Sequence, residues 1–196
     1  LTIALLSAAV LSYEILLMRL FSVIQWHHFA YMIISLALLG FGVSGTFVSL
    51  LQKPLLKQFS LAFVVNIVLF ALTCVGGFLL AQRVPFNPEE ILWDLRQSWR
   101  LLGVYLLLTL RFFFAANAIA LALTSFHENV PKLYAFDLVG AGMGSLGIMA
   151  LLFMATPLQV LVAVGCLGLT AAAAATWELS FRARPWWLMM LMLLAL

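Results

Sequence analysis

The sequence predicts an all-α protein, a polytopic bundle of transmembrane helices. Of its 196 residues, 66% are hydrophobic and only 9% are charged, whereas a soluble domain carries roughly a quarter charged residues. The mean hydropathy is +1.17, which leaves too little polar surface to cover a water-facing globule. Apolar runs of about 20 residues, each able to cross a hydrocarbon layer of about 30 Å, recur along the chain. Lipid is therefore the expected solvent.

Six full spans and a truncated seventh are predicted. They cover residues 2–24, 29–51, 60–81, 101–123, 134–154, 158–176 and 186–196. Polar or proline-containing connectors separate them. The chain opens inside an apolar run without a methionine and stops at Leu196 inside another. We therefore expect residues 1–196 to be a single transmembrane domain of a longer protein.

The connector before the fourth span has its own helix signal. Asn87, Pro88 and Glu90 have the pattern of an N-cap, a first-turn proline and a third-position acid. Apolar residues then recur at helical spacing, with charged residues between them. This predicts a short amphipathic helix near 88–100 in the membrane interface. An N-terminal extension of the fourth span is the alternative.

The distribution of basic residues predicts the orientation. The connectors on the side of the N-terminus contain Lys53, Lys57, Lys132, Arg182 and Arg184. The opposite connectors contain Arg83, Arg96 and Arg100, diluted by acidic residues. Because cytoplasmic loops carry the excess of Lys and Arg, the N-terminus is predicted to be cytoplasmic. The net charge of +3 is small and dispersed, so the expected partner is the lipid bilayer and no nucleic acid.

Four charged residues fall inside predicted spans: Glu14, Arg19, Arg111 and Asp137. Each costs roughly 2.5–3.5 kcal/mol near a helix centre on insertion scales, so each needs a partner or a route to water. Glu14 and Arg111 both lie near the middle of a span, which predicts an ion pair between them. Arg19 is close enough to a span end to extend to the interface. Asp137 lies near the cytoplasmic end, within reach of water or Lys132.

Two interpretations of the Glu14–Arg111 pair stay open. The pair can mark a proton or substrate path, or it can be a buried ion pair that sets helix register. Asn66 and Asn117 are the other strongly polar candidates within the spans.

No catalytic or metal-binding residue is predicted in this chain, and no cofactor. His27 and His28 are adjacent, so on a helix their side chains point in different directions, which favours interfacial polar residues over a metal or haem site. Cys74 and Cys166 each lie in an apolar run and are predicted to be small buried residues.

Glycines mark two spans as packing helices. Residues 142–147 match the GxGxxG dinucleotide fingerprint, but that motif requires a preceding strand, and here it lies within an apolar run of spanning length. Gly140 and Gly144 are four residues apart, as in helices whose backbones approach closely. The second span repeats this device with Gly40, Ser44 and Gly45. We therefore expect these two spans to contact each other.

Two stretches resemble a known family. Residues 12–20 (SYEILLMRL), followed by the glycine-rich 39–45 (LGFGVSG), resemble the start of the membrane domain of bacterial spermidine synthase-like proteins. Residues 133–144 (LYAFDLVGAGMG) resemble a later signature of the same family, in the same order and spacing. Glu14, Arg19, Tyr134 and Asp137 match this membrane signature.

The resemblance implies a larger protein in the bacterial cytoplasmic (inner) membrane. In that family the membrane domain is joined to a cytoplasmic Rossmann-like domain, similar to aminopropyltransferases and S-adenosylmethionine-dependent methyltransferases. It implies polyamine-synthase-like transferase chemistry and an S-adenosylmethionine-type ligand in a domain beyond Leu196, reached through an eighth span. None of the family's catalytic residues falls within residues 1–196.

Three functions follow as hypotheses. The first is a membrane domain of a spermidine synthase-like protein that anchors, regulates or feeds a transferase domain. The second is a transporter or half-transporter for a small solute, since hydrophobic units with small-residue packing occur in such folds. The third is an accessory, non-catalytic subunit of a larger membrane complex.

Overall fold

The protein is a bundle of α-helices. The computed structural model describes residues 1–24, 28–83, 93 and 95–180. The helices are α1 (Thr2–Ile24), α2 (His28–Leu50), α3 (Gln52–Lys57), α4 (Phe59–Arg83), α5 (Leu95–Ser125), α6 (Val130–Met154) and α7 (Pro157–Ser180), with a 3₁₀ turn at His127–Asn129. Within these ranges there is no strand, and six helices are long and apolar enough to cross a membrane. The predicted all-α membrane bundle is confirmed.

Prolines define several helix starts. Pro131 lies in the first turn of α6, and Pro157 is the first residue of α7. A first-turn proline is tolerated because the N–H it lacks would have no partner within the helix. At α7 the Gln159 side chain also accepts a hydrogen bond of 3.0 Å from the backbone N–H of Thr156. The connector at 52–57 forms the short helix α3 rather than an irregular loop.

The predicted interfacial helix falls partly outside the described residues. Positions 88–92 and 94 are not described, but residues 95–100 belong to α5, which runs for 31 residues without a break. For that part, the alternative of an N-terminal extension of the fourth span is the correct one. The seventh span at 186–196 also lies outside the described residues.

Helix α1 connects α6 to the rest of the bundle. It packs against α2, α5, α6 and α7, and its contact with α6 is the most extensive in the described structure. Helices α2, α5, α4 and α7 complete a ring with α1, because α2 packs on α5, α5 on α4, and α4 on α7. Helix α6 lies outside this ring and touches little besides α1. Most of its side chains are therefore exposed on the described part of the bundle.

The two ends of the bundle differ in composition. At the first end, α1, α4 and α6 begin and α2, α5 and α7 end, and this end carries Lys53, Lys57 and Lys132. At the second end the described basic residues are Arg83, Arg96 and Arg100. These are the same two groups that the sequence predicted, without Arg182 and Arg184, which lie outside the described residues.

Candidate functional site

Arg111 is a fully buried cation halfway along the bundle. It lies near the midpoint of α5, and its side chain is 0% exposed. None of its three guanidinium nitrogens has a hydrogen-bond partner. The predicted ion pair with Glu14 is therefore wrong. The two residues do lie at mid-span as expected, but successive residues on a helix point about 100° apart, and the neighbour of Glu14, Tyr13, is the residue of α1 that faces Arg111.

Two helices enclose the Arg111 guanidinium. Its Cζ lies 4.4 Å from the centroid of the Tyr13 ring on α1, a cation–π contact. On the α4 side, a Cβ at Gly77 would lie 3.0 Å from Arg111 Nη2. A larger residue at position 77 would therefore displace the guanidinium. The Tyr13 ring is itself held edge-on by Phe112, with ring centroids 6.2 Å apart.

The unpartnered buried polar atoms cluster at this contact. Among the described residues there are five: Tyr13 Oη, Thr109 Oγ1 and the three nitrogens of Arg111. Four of them belong to the Tyr13–Arg111 pair. Buried polar groups are almost always hydrogen-bonded in proteins, so this concentration is the feature of the bundle that most requires an explanation.

The other intramembrane charges have different surroundings. Glu14 is half-buried and makes no ion pair in the described structure. Arg19 is exposed, and its Cζ lies 5.9 Å from the centroid of the Phe153 ring on α6. Its position agrees with a side chain extending to the interface. Asp137 is half-buried, and its Oδ1 accepts a hydrogen bond from Ser7 of α1 rather than contacting Lys132.

The glycines of α6 pack against α1. Gly140 lies on the backbone of Ala4, and Gly144 lies on that of Ala8; a Cβ at either glycine would come within 2.6 Å of the alanine Cα. Ser12 donates a hydrogen bond of 2.9 Å to the backbone carbonyl of Gly144. Positions 4, 8 and 12 repeat every four residues along α1, so the two helices run parallel with matching small-residue faces.

The glycine-rich face of α2 packs elsewhere. Gly40 lies on α5, where its Cβ would meet Phe112 Cβ at 2.7 Å. Ser44 is buried and bonds to Asn117 of α5, whereas Gly45 is exposed with nothing near its Cβ position. The expected contact between the two glycine-rich spans is therefore wrong, and so is packing at Gly45. Each glycine face instead meets small residues or backbone of a different neighbour, α1 for α6 and α5 for α2.

A chain of side-chain hydrogen bonds crosses three helices. The Ser44 hydroxyl donates to Asn117 Oδ1 at 2.7 Å, and Asn117 Nδ2 donates to Asn66 Oδ1 at 3.3 Å. Asn66 Nδ2 in turn donates to the Ala62 carbonyl at 2.7 Å. Sequence reasoning marked Asn66 and Asn117 as polar candidates, and the structure brings them together. It also adds Ser44, which the sequence had assigned only to packing.

A cavity of about 420 Å³ opens between the helices at the first end. Its lining is mostly apolar and includes four aromatic rings, those of Phe59, Phe63, Phe126 and Phe136. Glu178 lies at its edge and accepts a hydrogen bond of 2.9 Å from the Thr2 hydroxyl. The sequence analysis missed this cavity, because its lining comes from five different helix ends.

Of the cysteines and histidines, all but His27 lie in the described part of the chain. The described residues contain no group of three or more His, Cys, Asp or Glu side chains close enough to hold a metal ion. Cys74 is buried as predicted, but Cys166 is exposed. It lies on the outer face of α7, where a small apolar residue suits lipid as well as a protein core. His27 is outside the described residues, and of His28 only the backbone is described, as the first residue of α2.

Comparison with protein-family models, with curated proteins and with solved structures found no match to this chain.

Proposed function

We propose that this chain is the membrane domain of a spermidine synthase-like protein and that it anchors, regulates or feeds a transferase domain. The observation that supports this is the contact between the two stretches that resemble the family. Residues 12–20 lie on α1 and residues 133–144 lie on α6, and the Ser12–Gly144 hydrogen bond joins them. Segments more than 100 residues apart in the chain thus form one interface, as expected if the signature describes a single structural unit.

A bundle of packed membrane helices fits an anchoring or feeding role. The chemistry then belongs to a domain outside residues 1–196, with a ligand of the S-adenosylmethionine type. The first end of the bundle, with its lysines and its 420 Å³ cavity, is the end that would face such a domain. In this proposal the domain lies in the cytoplasm, and the membrane is the bacterial inner membrane.

The proposal is tested with the full-length protein. We expect the coding sequence after Leu196 to continue through an eighth span into a strand–GxG–helix pattern with an acidic residue about 20 positions later. The purified full-length protein should transfer a labelled group from S-adenosylmethionine, or from its decarboxylated form, to an amine acceptor. A coding sequence that stops within a few dozen residues of Leu196 would contradict the proposal.

The orientation has its own test. Green fluorescent protein fused after Lys57 or Lys132 should fluoresce, because we expect these connectors in the cytoplasm. Alkaline phosphatase fused after Arg83 should be active, because that connector should face the periplasm. The reverse pattern would place the first end in the periplasm. It would then contradict a cytoplasmic transferase domain facing that end.

A transporter is the second candidate, and the placement of polar groups along α5 favours it. Arg111 lies at mid-span, Asn117 lies six residues nearer the first end, and Ala122 lines the cavity at that end. At 1.5 Å per residue these positions mark successive depths from the bilayer centre to one surface. Solute flux into proteoliposomes containing this domain alone, lost in Arg111→Gln, would favour transport over anchoring.

A further inference from the structure

Arg111 differs from every other charged residue described within the spans. Arg19 is exposed, Asp137 has the Ser7 hydroxyl, and Glu14 is only half-buried. Arg111 alone combines complete burial with the absence of any hydrogen-bond partner. Arg side chains in proteins stay protonated, so the bundle encloses a positive charge. A charge in a low-dielectric interior is strongly unfavourable unless it is paired, and the cation–π contact with Tyr13 recovers only part of that cost.

The helices around Arg111 offer almost no counter-charge. Helix α5 packs against α1, α2, α3 and α4, and at its end against the 3₁₀ turn, whose Glu128 is exposed and lies 17 residues beyond Arg111. Neither α5 itself nor α2, α3 or α4 contains an aspartate or glutamate within its bounds. Helix α1 contributes Glu14, whose carboxylate does not reach the guanidinium. The negative charge that balances Arg111 must therefore come from outside these helices or from a rearranged Glu14.

The surroundings of the guanidinium are suited to a small ligand. The Tyr13 ring lies against it from α1, and on the α4 side the guanidinium occupies the space that a side chain at Gly77 would fill. Guanidinium groups bind carboxylates and other oxyanions through paired N–H donors. The three guanidinium nitrogens have no accessible surface, so an anion reaches them only with a small local shift of the side chain or of α4, and only an ion of a few atoms fits.

We propose that Arg111, backed by Tyr13 and Gly77, forms a binding site within the membrane for one small monovalent anion of the chloride, nitrate or formate class. This site does not rest on the proposed function. It supplies the missing counter-charge, and it gives two of the three guanidinium nitrogens an acceptor, because one small anion faces a single edge of the guanidinium plane. Binding of such an anion should stabilise the folded bundle, because the unfolded chain lacks the site.

Thermal unfolding of the full chain in phosphatidylcholine nanodiscs tests this site. Chloride, nitrate or formate is titrated against gluconate, a bulky anion, at constant ionic strength. The wild type should gain roughly 5–10 °C in Tm at a hundred times Kd, and the gain should saturate. Arg111→Gln should lose the response, and Arg111→Lys should keep part of it. An equal response to gluconate, or an unchanged response in Arg111→Gln, would overturn the proposal.

The adjacent glycines provide a matched pair that keeps the arginine. A side chain at Gly77 would meet the guanidinium, whereas Gly76 has nothing within 4 Å of its Cβ position. Gly77→Leu should therefore weaken the response to anions at least tenfold, and Gly76→Leu should leave it unchanged. Equal responses in the two variants would place anion binding away from Arg111.

Two further measurements separate the remaining outcomes. If a rearranged Glu14 is the true counter-ion, the wild type will show no anion response, and Glu14→Gln will acquire one, which refutes the proposal. Line broadening in ³⁵Cl NMR needs no variant. We expect broadening above that of empty nanodiscs, reversed by nitrate, and its absence would also refute the site.

Discussion

Ser12 on α1 donates its hydroxyl proton to the backbone carbonyl of Gly144 on α6, at 2.9 Å. The bond can form because Gly144 has no side chain and lies directly on Ala8, which is one turn before Ser12 on α1. A helix carbonyl that accepts a second hydrogen bond from a neighbour fixes the axial register of the two helices. This contact therefore holds α6, which has few other neighbours, against the rest of the bundle.

Substituting Gly144 should separate α1 and α6. In Gly144→Leu the new side chain would collide with the Ala8 backbone, and overpacking of this kind costs about 1–3 kcal/mol or more. Gly142→Leu is the matched control, because Gly142 is exposed with nothing within 4 Å of its Cβ position. Thermal unfolding in detergent should show a lower Tm for Gly144→Leu alone. A normal Tm in that variant would contradict the interface.

The Ser7–Asp137 hydrogen bond should contribute measurably to the same interface. Ser7→Ala removes the donor and leaves a half-buried carboxylate with one partner fewer. Side-chain hydrogen bonds between membrane helices average about 0.6 kcal/mol, with a maximum near 1.7, and we expect a loss in that range. Ser145→Ala is the control, because that hydroxyl bonds only to Gly142 of its own helix. Equal free energies of unfolding for Ser7→Ala and Ser145→Ala would show that the Ser7–Asp137 bond does not stabilise the interface.

The Ser44–Asn117–Asn66 chain should make α2, α4 and α5 interdependent. Asn117→Ala breaks two interhelical bonds at once and leaves the buried Ser44 hydroxyl without its acceptor. A double-mutant cycle of Ser44→Ala with Asn117→Ala should give a coupling energy of about 0.6–1.7 kcal/mol. Thr73→Ala, whose hydroxyl bonds within α4, should show no coupling to Asn117. A coupling of zero for the first pair would show that the network does not form.

At Tyr13 the ring and the hydroxyl should have opposite effects. Tyr13→Phe keeps an aromatic face over Arg111 and removes a buried hydroxyl that has no partner, so in anion-free buffer the free energy of unfolding should stay the same or rise. Tyr13→Leu removes the cation–π contact, which is worth about 2 kcal/mol when desolvated, and should destabilise the bundle. Chemical denaturation of the two variants checks this. Equal destabilisation by both would mean that the hydroxyl has a partner.

The two cysteines should label differently. Cys74 is completely buried and should react with a maleimide dye only when the bundle unfolds. Cys166 is exposed on α7 and should react with a lipid-soluble maleimide in the folded state. The Cys166→Ala variant then gives an unfolding signal from Cys74 alone. Fast labelling of that variant at room temperature would contradict the burial of Cys74.

Depth along the membrane could be predicted from the sequence, but direction around each helix could not. Glu14 and Arg111 were correctly placed at mid-span, since rise per residue fixes depth. Which residue of α1 faces α5 depends on the rotation of both helices, and the structure presents Tyr13. A membrane-buried helix is apolar on nearly every face, so the hydrophobic pattern carries little information about rotation. The charge of Glu14 indicated that this residue of α1 faces Arg111, and that indication was wrong.

The residues that pack against Gly140 and Gly144 could not be predicted from the sequence either. The four-residue spacing of Gly140 and Gly144 indicated a packing face, and the structure confirms one. The complementary positions Ala4, Ala8 and Ser12 have the same spacing in the first span and were detectable in principle. Alanine is so common in such helices, however, that the pattern is only distinctive beside its glycine partner.

The amino-acid sequence was enough to predict the membrane environment, the helical class, the six complete spans and the positions of the breakers between them. These depend on local hydropathy and on proline, which act within a short stretch of chain. The three-dimensional packing was needed to show that α6 packs on α1, that α2 packs on α5, and that Arg111 is enclosed without a hydrogen-bonded carboxylate. In a bilayer, lipid and protein are similarly apolar, so the choice of neighbour depends on shape and on a few hydrogen bonds between distant residues.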